Sequence, residues 1–577
     1  MLARIWTLVG LASVTWAVPL DQLERRATVS PDATCGGTKG YTCLGSSFGN
    51  CCSPNGWCGS TSAYCGNGCQ TAFGSCGTNP PPMTTSTSKT APPTSTPTAG
   101  TLGQCLTQKN VPIRLASSSD FSQLAQPYNL RLPYTPAVIV LPTTVQHISD
   151  AVTCAAKYNV KVQPRGGGHS YAAFSLGGQD GAMVIDLQSF QEVSLDANNV
   201  AKVGGGVRLG NLAQGIFDQK QRALPHGTCP GVGVGGHATH GGFGLSSRAW
   251  GLTLDTIVGL DVVLANGNFV KATSTAYPDI YYALRGAADS FGIVTSFYLQ
   301  TQPAPASVIQ WSFSIPNMYK SAATSANYFL HIQAFAQNAS VVDRNLGIGI
   351  YMDGQGFSIS GTYFGSLANF NNKIKPELLR GLPTPTSQSA TPMTWIQSLT
   401  ALANGQPLKQ PTTGYNLHDD FFAKSIVVPT SGQFTAATLT SYFDYVIKNG
   451  VNSANPWFTI INLYGGPDSQ INAKPSSFSA YSDRTALWVL QLYGYTGNTG
   501  APFPAGIIPF ITGLSNSITS AQPQTVFPGY INYVDPSLTP TQAHAAYFDD
   551  ATYAKLVGIK QQVDPGKVFW NPQAIGN

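Results

Sequence analysis

Eight of the chain's 11 cysteines fall between Cys35 and Cys76, in a segment with many Gly and Ser and few aliphatic residues. A piece of that composition buries too little apolar surface to fold unaided and must be stapled by disulfides. Stapling needs an oxidising compartment, and the N-terminus offers the route to one. "MLARIWTLVGLASVTWAVPL" has a basic start, an apolar run and small residues near Ala17, the pattern of a cleaved secretory signal over residues 1–17. The dibasic pair Arg25-Arg26 is compatible with a short pro-segment over 18–34, and Asn338-Ala339-Ser340 is a glycosylation sequon consistent with export. No later stretch supplies the roughly 20 apolar residues of a membrane helix. A secreted protein that does not span a membrane is expected.

The spacing in "CGGTKGYTCLGSSFGNCCSPNGWCGSTSAYCGNGCQTAFGSC", residues 35–76, resembles the hevein-type chitin-binding module, and the resemblance covers all eight cysteines. It implies the pairs Cys35–Cys52, Cys43–Cys58, Cys51–Cys65 and Cys69–Cys76. It also implies a sugar-contacting surface of Ser53, Trp57 and Tyr64, with Asn55 standing where a further aromatic often sits. Chitin is the implied partner, and association with a cell wall the implied setting. Residues 77–101, almost all Thr, Pro and Ser from Thr78 to Gly100, read as an extended stalk tethering this module to something larger.

The larger part has 42% apolar residues to draw on, enough for sizeable cores, whereas only 10% of the chain is charged and its net charge is +5 without any basic block. Electrostatic capture of nucleic acid is therefore excluded as a leading function, and neutral polar partners such as sugars fit better. From Leu132, "PAVIVLPTTVQHISDAVTCAAKYNVKVQPRGGGHS" alternates strand, helix and strand before a glycine turn. "GLDVVLANGNFVKATSTAYPDIYYALRGAADSFGIVTSFYLQ" adds a hairpin-like turn, a helix around 280–285 and a strand from Gly292. Between 305 and 500, alternating segments such as "NLGIGIYMDGQGFSISGTYFG" and "ALWVLQLYGY" predict an antiparallel sheet with helices on one side.

Three chemistries compete for the run "ALPHGTCPGVGVGGHATHGGFG", residues 223–244. His226, Cys229, His237 and His240 have spacings that suit zinc, but so much glycine offers no rigid frame for a tetrahedral site. Gly231, Gly233 and Gly236 satisfy the dinucleotide pattern G-x-G-x-x-G, with Asp255 at a suitable distance for the ribose. The context argues against it, since neither a hydrophobic strand before the run nor a helix after it is expected. The third chemistry starts from counting: with eight cysteines paired in the small module, Cys105, Cys154 and Cys229 remain, and one must stay unpaired. An idle thiol in an exported protein oxidises or cross-links, so a use such as a covalent cofactor bond is expected.

A second run, "QPRGGGHSYAAFSLGG", places His169 beyond three glycines. With it the chain from Pro133 to its end resembles the berberine-bridge-enzyme-like flavoproteins of the vanillyl-alcohol-oxidase class, and within them the fungal oligosaccharide oxidases. The matching pieces, in order, are "PAVIVLPTTV", "PRGGGHSY", "HGTCPGVGVGGHATHGGFG", "LDVVLANG", "YYALRGAADSFGIVTSF", "YINYVDP" and "VDPGKVFWNPQAI". The resemblance implies an α+β architecture: a two-subdomain FAD-binding fold over 102–304, a substrate domain with an antiparallel sheet backed by helices over 305–528, and a segment 529–577 returning to the FAD domain. It implies FAD bound covalently through His169 and Cys229 and no metal. Around the cofactor it places Arg165, Gly166, Gly167, Gly168, Ser170, Gly231, Gly233, Gly236, Gly242, Val294 and Asn571, and it leaves Cys105–Cys154 as a disulfide.

The resemblance also implies the reaction, oxidation of the reducing-end anomeric hydroxyl of an oligosaccharide to a lactone, with molecular oxygen reduced to hydrogen peroxide. Its base would be Tyr533 of "YINYVDP", a phenol that ordinarily ionises near pH ~10 and must be helped. An extended backbone here would point Tyr530 and Tyr533 to opposite faces, so that one alone meets the flavin. The acid that assists this tyrosine in related sugar oxidases is replaced by Asn462 in "TIINLYGG"; Gln491 matches a sugar-contacting glutamine, and Tyr171 and Thr228 flank the two anchors. Fusion to a chitin-binding module favours chito-oligosaccharides, with cello- or xylo-oligosaccharides, and a dehydrogenase rather than an oxidase, as alternatives. A zinc-dependent chitin hydrolase and a non-catalytic chitin-binding protein are the readings of other classes.

Overall fold

The computed structural model describes residues 29–76 other than 38, 39, 45, 47, 60, 61 and 67, then 99–496 and 502–577. The expected signal peptide, most of the expected pro-segment and nearly all of the expected stalk lie outside the described residues. Two compact units are present, and the smaller contains the cysteine-rich module.

In that module the bridges are Cys35–Cys52, Cys43–Cys58, Cys51–Cys65 and Cys69–Cys76. Strands Cys51–Cys52 and Cys58–Gly59 pair antiparallel, and the short helix Ser62–Cys65 follows. The buried cluster consists of Cys35, Cys43, Cys52 and Cys58, with Phe73 packed on it. Sulfur stands where a larger domain would have aliphatic side chains, as the composition demands.

The larger unit begins with a sheet ordered Ile113–Arg114, Val138–Val140, Met183–Asp186, Val162–Arg165, the last three parallel. Helix Val145–Lys157 makes the crossover; Thr144 caps it through His147 N–H, and Ile148, Ala151, Val152 and Ala155 form its buried stripe. Cys105–Cys154 ties this helix to the preceding helix Ala99–Gln108. A second, antiparallel sheet has the order Phe269–Ala272, Ile257–Val263, Ile293–Gln300, Val200–Gly204, Val193–Leu195. Together they give the two-subdomain arrangement expected of this part of the chain.

The third sheet has seven antiparallel strands, in the order Ser387–Met393, Val308–Ser314, Phe357–Tyr363, Leu346–Met352, Trp457–Leu463, Ala486–Tyr495, Phe421–Pro429. Its strands alternate as a two-faced sheet requires. Trp457, Ile461, Leu463, Leu490 and Leu492 enter the core shared with helices Ala322–Ala336, Ala436–Tyr445 and Ile507–Thr519. Phe458, Ile460, Asn462, Gln491 and Tyr493 occupy the alternate positions and turn to the opposite face.

The chain then returns. Val427 N–H donates to Pro528 O, and Ser425 Oγ accepts from Tyr530 N–H, which lays residues 528–530 along the edge strand. Helix Asp550–Val563 buries Leu556 and Ile559 in the core of the second sheet, and Phe569 bridges to Val162 of the first.

Candidate active site and cofactor cradle

Strand Val162–Arg165 ends where the Arg165 guanidinium meets Asp186, at 2.6 Å and buried on both sides. Beyond it the chain leaves the sheet, and the N–H groups of residues 166–170 find no acceptor among the described residues. Gly168, at φ +74°, makes the turn that an L side chain resists. Gly167 and Gly233 lie backbone to backbone, and a Cβ on either would collide with the other's nitrogen. A Cβ on Gly166 would lie 2.8 Å from Gly205 O. The two glycine runs, distant in sequence, thus meet main chain to main chain. Free N–H groups beside glycines that admit no side chain form a concavity suited to a pyrophosphate.

The second run departs from expectation in one respect: Gly233 opens a helix, Val234–Thr239. Glycine masked that signal in the sequence. What precedes is still not a central strand, because among the described residues Arg222–Ala223 pairs only with Gln302–Pro303. The histidines of the zinc reading are already engaged. His226 Nδ1 bonds Gly227 O, His237 Nε2 accepts from Gly227 N–H, and His240 faces Asp289 at 3.5 Å. Among the described residues the one group with metal-ligand proximity is Cys35, Cys43 and Cys52, all in disulfides.

Cys229 is the free cysteine, and it is exposed. Protein nevertheless surrounds its thiol closely enough that desolvation raises the pKa, against a lowering by the Thr228 hydroxyl beside it. His169 is driven the other way: burial, then Arg208 and His418, lower its pKa to about 3, so the imidazole is neutral. Its ring stacks on Tyr128 at 4.1 Å, and Nε2 lies 3.1 Å from Tyr415 Oη. The neutral imidazole carries a free lone pair, and the exposed thiol becomes a nucleophile once it ionises. Together with the cradle they fit FAD.

The other residues expected at the cofactor divide. A Cβ on Gly236 would meet nothing within 4 Å, and Gly242, at φ +86°, packs on Thr253. Val294 is buried, with its carbonyl 2.5 Å from where a Cβ of Gly205 would stand. Ser170 Oγ caps the turn Phe174–Leu176 by accepting from Phe174 N–H. Asn571 is wholly buried; it donates to Asp289 and accepts from Gln573 N–H. Asn571 therefore supports the cradle from behind, through Asp289 and His240, and offers no surface to a ligand.

The backbone at the two tyrosines is not extended. Ile531–Tyr533 is a 3₁₀ turn closed by Tyr533 N–H to Tyr530 O, and in such a turn positions three apart eclipse. Consequently the rings sit side by side, 5.0 Å apart and edge to face, instead of on opposite faces. Partners, not direction, tell them apart. Tyr530 Oη accepts from Gly242 N–H, Phe243 N–H and Asn532 Nδ2. The Tyr533 hydroxyl has no partner among the described residues, and its ring stacks on Tyr171 at 5.6 Å. Burial, then Tyr530 and Cys229, raise its pKa above the ordinary phenol value. Gln491 Nε2 donates to Tyr171 Oη at 2.6 Å. Asn462 lies on the next strand of the same face, with its amide unbonded among the described residues. Sequence reasoning missed Tyr128, Arg208 and Tyr415, which come from loops or a helix cap without periodicity. It also missed the aromatic patch of Phe421, Phe458 and Tyr493, which lie on one face of three adjacent strands.

Comparison with known proteins decides the family. Residues 136–273 match the FAD binding domain family, and residues 529–576 the berberine and berberine-like family. The chain is 35% identical to the xylooligosaccharide oxidase of Thermothelomyces thermophilus, over 86% of this chain and 98% of that one. The chain belongs to the berberine-bridge-like FAD-linked oligosaccharide oxidases. Within this family it is also 34% identical to the chitooligosaccharide oxidase of Gibberella zeae, over 82% of this chain and 94% of the relative. Among solved structures, the glucooligosaccharide oxidase of Acremonium strictum superposes with a TM-score of 0.77 at 30% identity, covering 82% and 99% of the two chains. The FAD of that oxidase is described as 6-S-cysteinyl, 8α-N1-histidyl.

Proposed function

We propose that this FAD-linked oxidase is secreted and oxidises the reducing-end anomeric hydroxyl of oligosaccharides, chito-oligosaccharides first among them, to lactones that hydrolyse to aldonic acids. The observation that carries the reading is the Tyr533 hydroxyl, unpartnered among the described residues and stacked on Tyr171 beside a face that also presents Gln491. His169 and Cys229 hold FAD covalently, and residues 166–170 with Gly231, Gly233 and Gly236 cradle its pyrophosphate. When bound, FAD supplies a hydride acceptor and passes the electron pair to dioxygen, giving hydrogen peroxide.

Tyr533 takes the proton of the anomeric hydroxyl. Because its phenol is held above the ordinary pKa, the base is scarce at neutral pH and grows as pH rises. Asn462, uncharged, contributes no carboxylate to that proton transfer. The Gln491–Tyr171 pair orients the sugar, and Thr228 stands exposed beside Cys229.

The chitin preference rests on the N-terminal module. Trp57 is 50% exposed there, and its backbone N–H donates to Ser53 Oγ, the arrangement of a ring presented for stacking on a sugar face. Tyr64 is half-buried against Gly59.

Anaerobic mixing with chitobiose to chitotetraose, beside cellobiose and xylobiose, tests this while flavin absorbance near ~450 nm is followed and air is then admitted. Bleaching by chito-oligosaccharides, reversed by air with peroxide, is expected. Bleaching by the other sugars alone makes the module a localisation device. Bleaching that air does not reverse makes the protein a dehydrogenase, and chitin binding without bleaching by any sugar makes it non-catalytic.

A further inference from the structure

We propose that Tyr415, held in place by Arg208, determines which nitrogen of His169 forms the cofactor bond, leaving Nδ1 as the bonding atom; this rests on the covalent reading above. An imidazole has two nitrogens and rotates about χ1 and χ2, so a single linkage needs the ring fixed and one nitrogen occupied. Both conditions are met. Tyr128 stacks on the ring at 4.1 Å with 26° between planes, which restrains rotation. Tyr415 Oη stands 3.1 Å from Nε2, while Nδ1 has no partner among the described residues.

The tautomer follows. Tyr415 is itself pushed up to about 12, by burial against a lowering by Arg208, and stays a neutral phenol whose oxygen accepts from Nε2–H. The lone pair is then on Nδ1. Bond formation joins Nδ1 to the 8α-carbon of the flavin. The methyl group and the imidazole each give up one proton, and dioxygen takes both with the electron pair left on the ring system, giving hydrogen peroxide.

Tyr415 lies on a loop, so its position needs a cause. Arg208 provides one: its guanidinium covers the tyrosine ring at 3.6 Å. Nη1 of the same arginine donates to Gly167 O at 2.9 Å and Gly231 O at 2.5 Å, one carbonyl from each glycine run. A single guanidinium therefore joins the run carrying His169, the run carrying Cys229 and the loop carrying Tyr415. Gly231 completes the fit, because a Cβ there would overlap the Tyr415 hydroxyl. Either side of Tyr415 the loop is pinned, by the Asn211 side chain, which donates to Gln410 O and accepts from Gln410 N–H, and by His418 Nδ1 at Pro127 O.

The test compares the purified full-length protein with Tyr415→Phe and Arg208→Lys. Denatured intact mass, peptide mapping and NMR of the isolated flavin peptide read the linkage independently of turnover. Wild type is expected to carry flavin on both His169 and Cys229, with the histidyl bond wholly at Nδ1. In Tyr415→Phe, flavinylation at His169 slows by about tenfold and Nε2-linked peptide appears, while the Cys229 bond and the circular dichroism spectrum persist. Arg208→Lys keeps the charge but loses the double bond to the two carbonyls, and should show the same defect more weakly. Normal Nδ1 linkage in Tyr415→Phe overturns the role of Tyr415. A wild-type protein without flavin on His169 overturns the covalent reading, and this proposal with it.

Discussion

The cofactor half of the site and its substrate half are built from different materials. The cradle is main chain: Gly166, Gly167 and Gly233 press against other backbone, and no side chain larger than hydrogen fits where they meet. The substrate half is side chain, one face of a seven-stranded sheet whose alternate positions carry Ile460, Asn462, Gln491 and Tyr493. A change in the first displaces backbone. A change in the second exchanges one group for another on an intact frame. In the function proposed above, the first half holds the cofactor and the second meets the sugar.

Gly233→Ala breaks the rule most severely. Its Cβ must displace the backbone of Gly167, and overpacking of this kind costs about 1–3 kcal/mol. The expected outcome is protein purified with little or no flavin and a lowered melting temperature; a normally flavinylated variant would show that the two runs do not depend on close approach. Tyr533→Phe makes the contrast, since it leaves the cradle untouched. Flavin content should be normal while the anaerobic bleaching rate falls by about 10²–10⁴, the usual worth of a positioned base. In the wild type the same rate should climb with pH through neutrality, because burial holds the phenol above its usual value.

This difference in material also explains what could be read from sequence. Three glycines before His169, and the glycines around Cys229, are visible because backbone-built sites leave compositional marks. The antiparallel sheet was visible in its period of two. The geometry at Tyr533 was not: a 3₁₀ turn and an extended step of four residues carry no distinguishing pattern, and the deciding fact is a hydrogen-bond inventory. Asn571 misled for a related reason, since a residue can accompany a cofactor site while bonding only to protein. Tyr415 and Arg208 were out of reach, because their relation to His169 is made by the fold alone.

On the substrate half the effects are smaller and graded. Asn462→Asp puts a carboxylate on the sheet face that also carries Gln491, where it could accept the proton from Tyr533. The rate at pH 6–7 should rise by about tenfold and its pH dependence move toward acid; an unchanged profile would place Asn462 outside the proton path. Gln491→Ala removes the bond to Tyr171 Oη, and KM should rise by about fivefold with kcat nearly kept, the worth of one hydrogen bond.

The least effect is expected behind the cradle, at His240 and Asp289, and it sharpens the comparison by acting on stability alone. Burial by itself would lower the His240 pKa, but the Asp289 carboxylate outweighs it and the pKa is raised. Burial by itself would raise Asp289, but His240, Asn571 and Lys560 outweigh it and the pKa is lowered. A raised histidine stabilises the fold below its unfolded pKa of about 6.5 and loses that contribution as pH climbs through the folded value. A lowered aspartate stabilises above its unfolded value of about 3.9 and loses it as pH falls through the folded value. The two overlap between about pH 4 and 6.5. The melting-temperature difference between wild-type holoenzyme and His240→Gln should therefore be greatest near pH 5, equivalent to ~1 kcal/mol for a partly exposed pair, and should shrink toward pH 8. A difference independent of pH would mean that the imidazole supports the cradle by its shape and its bond to Gly236 O, not by its charge.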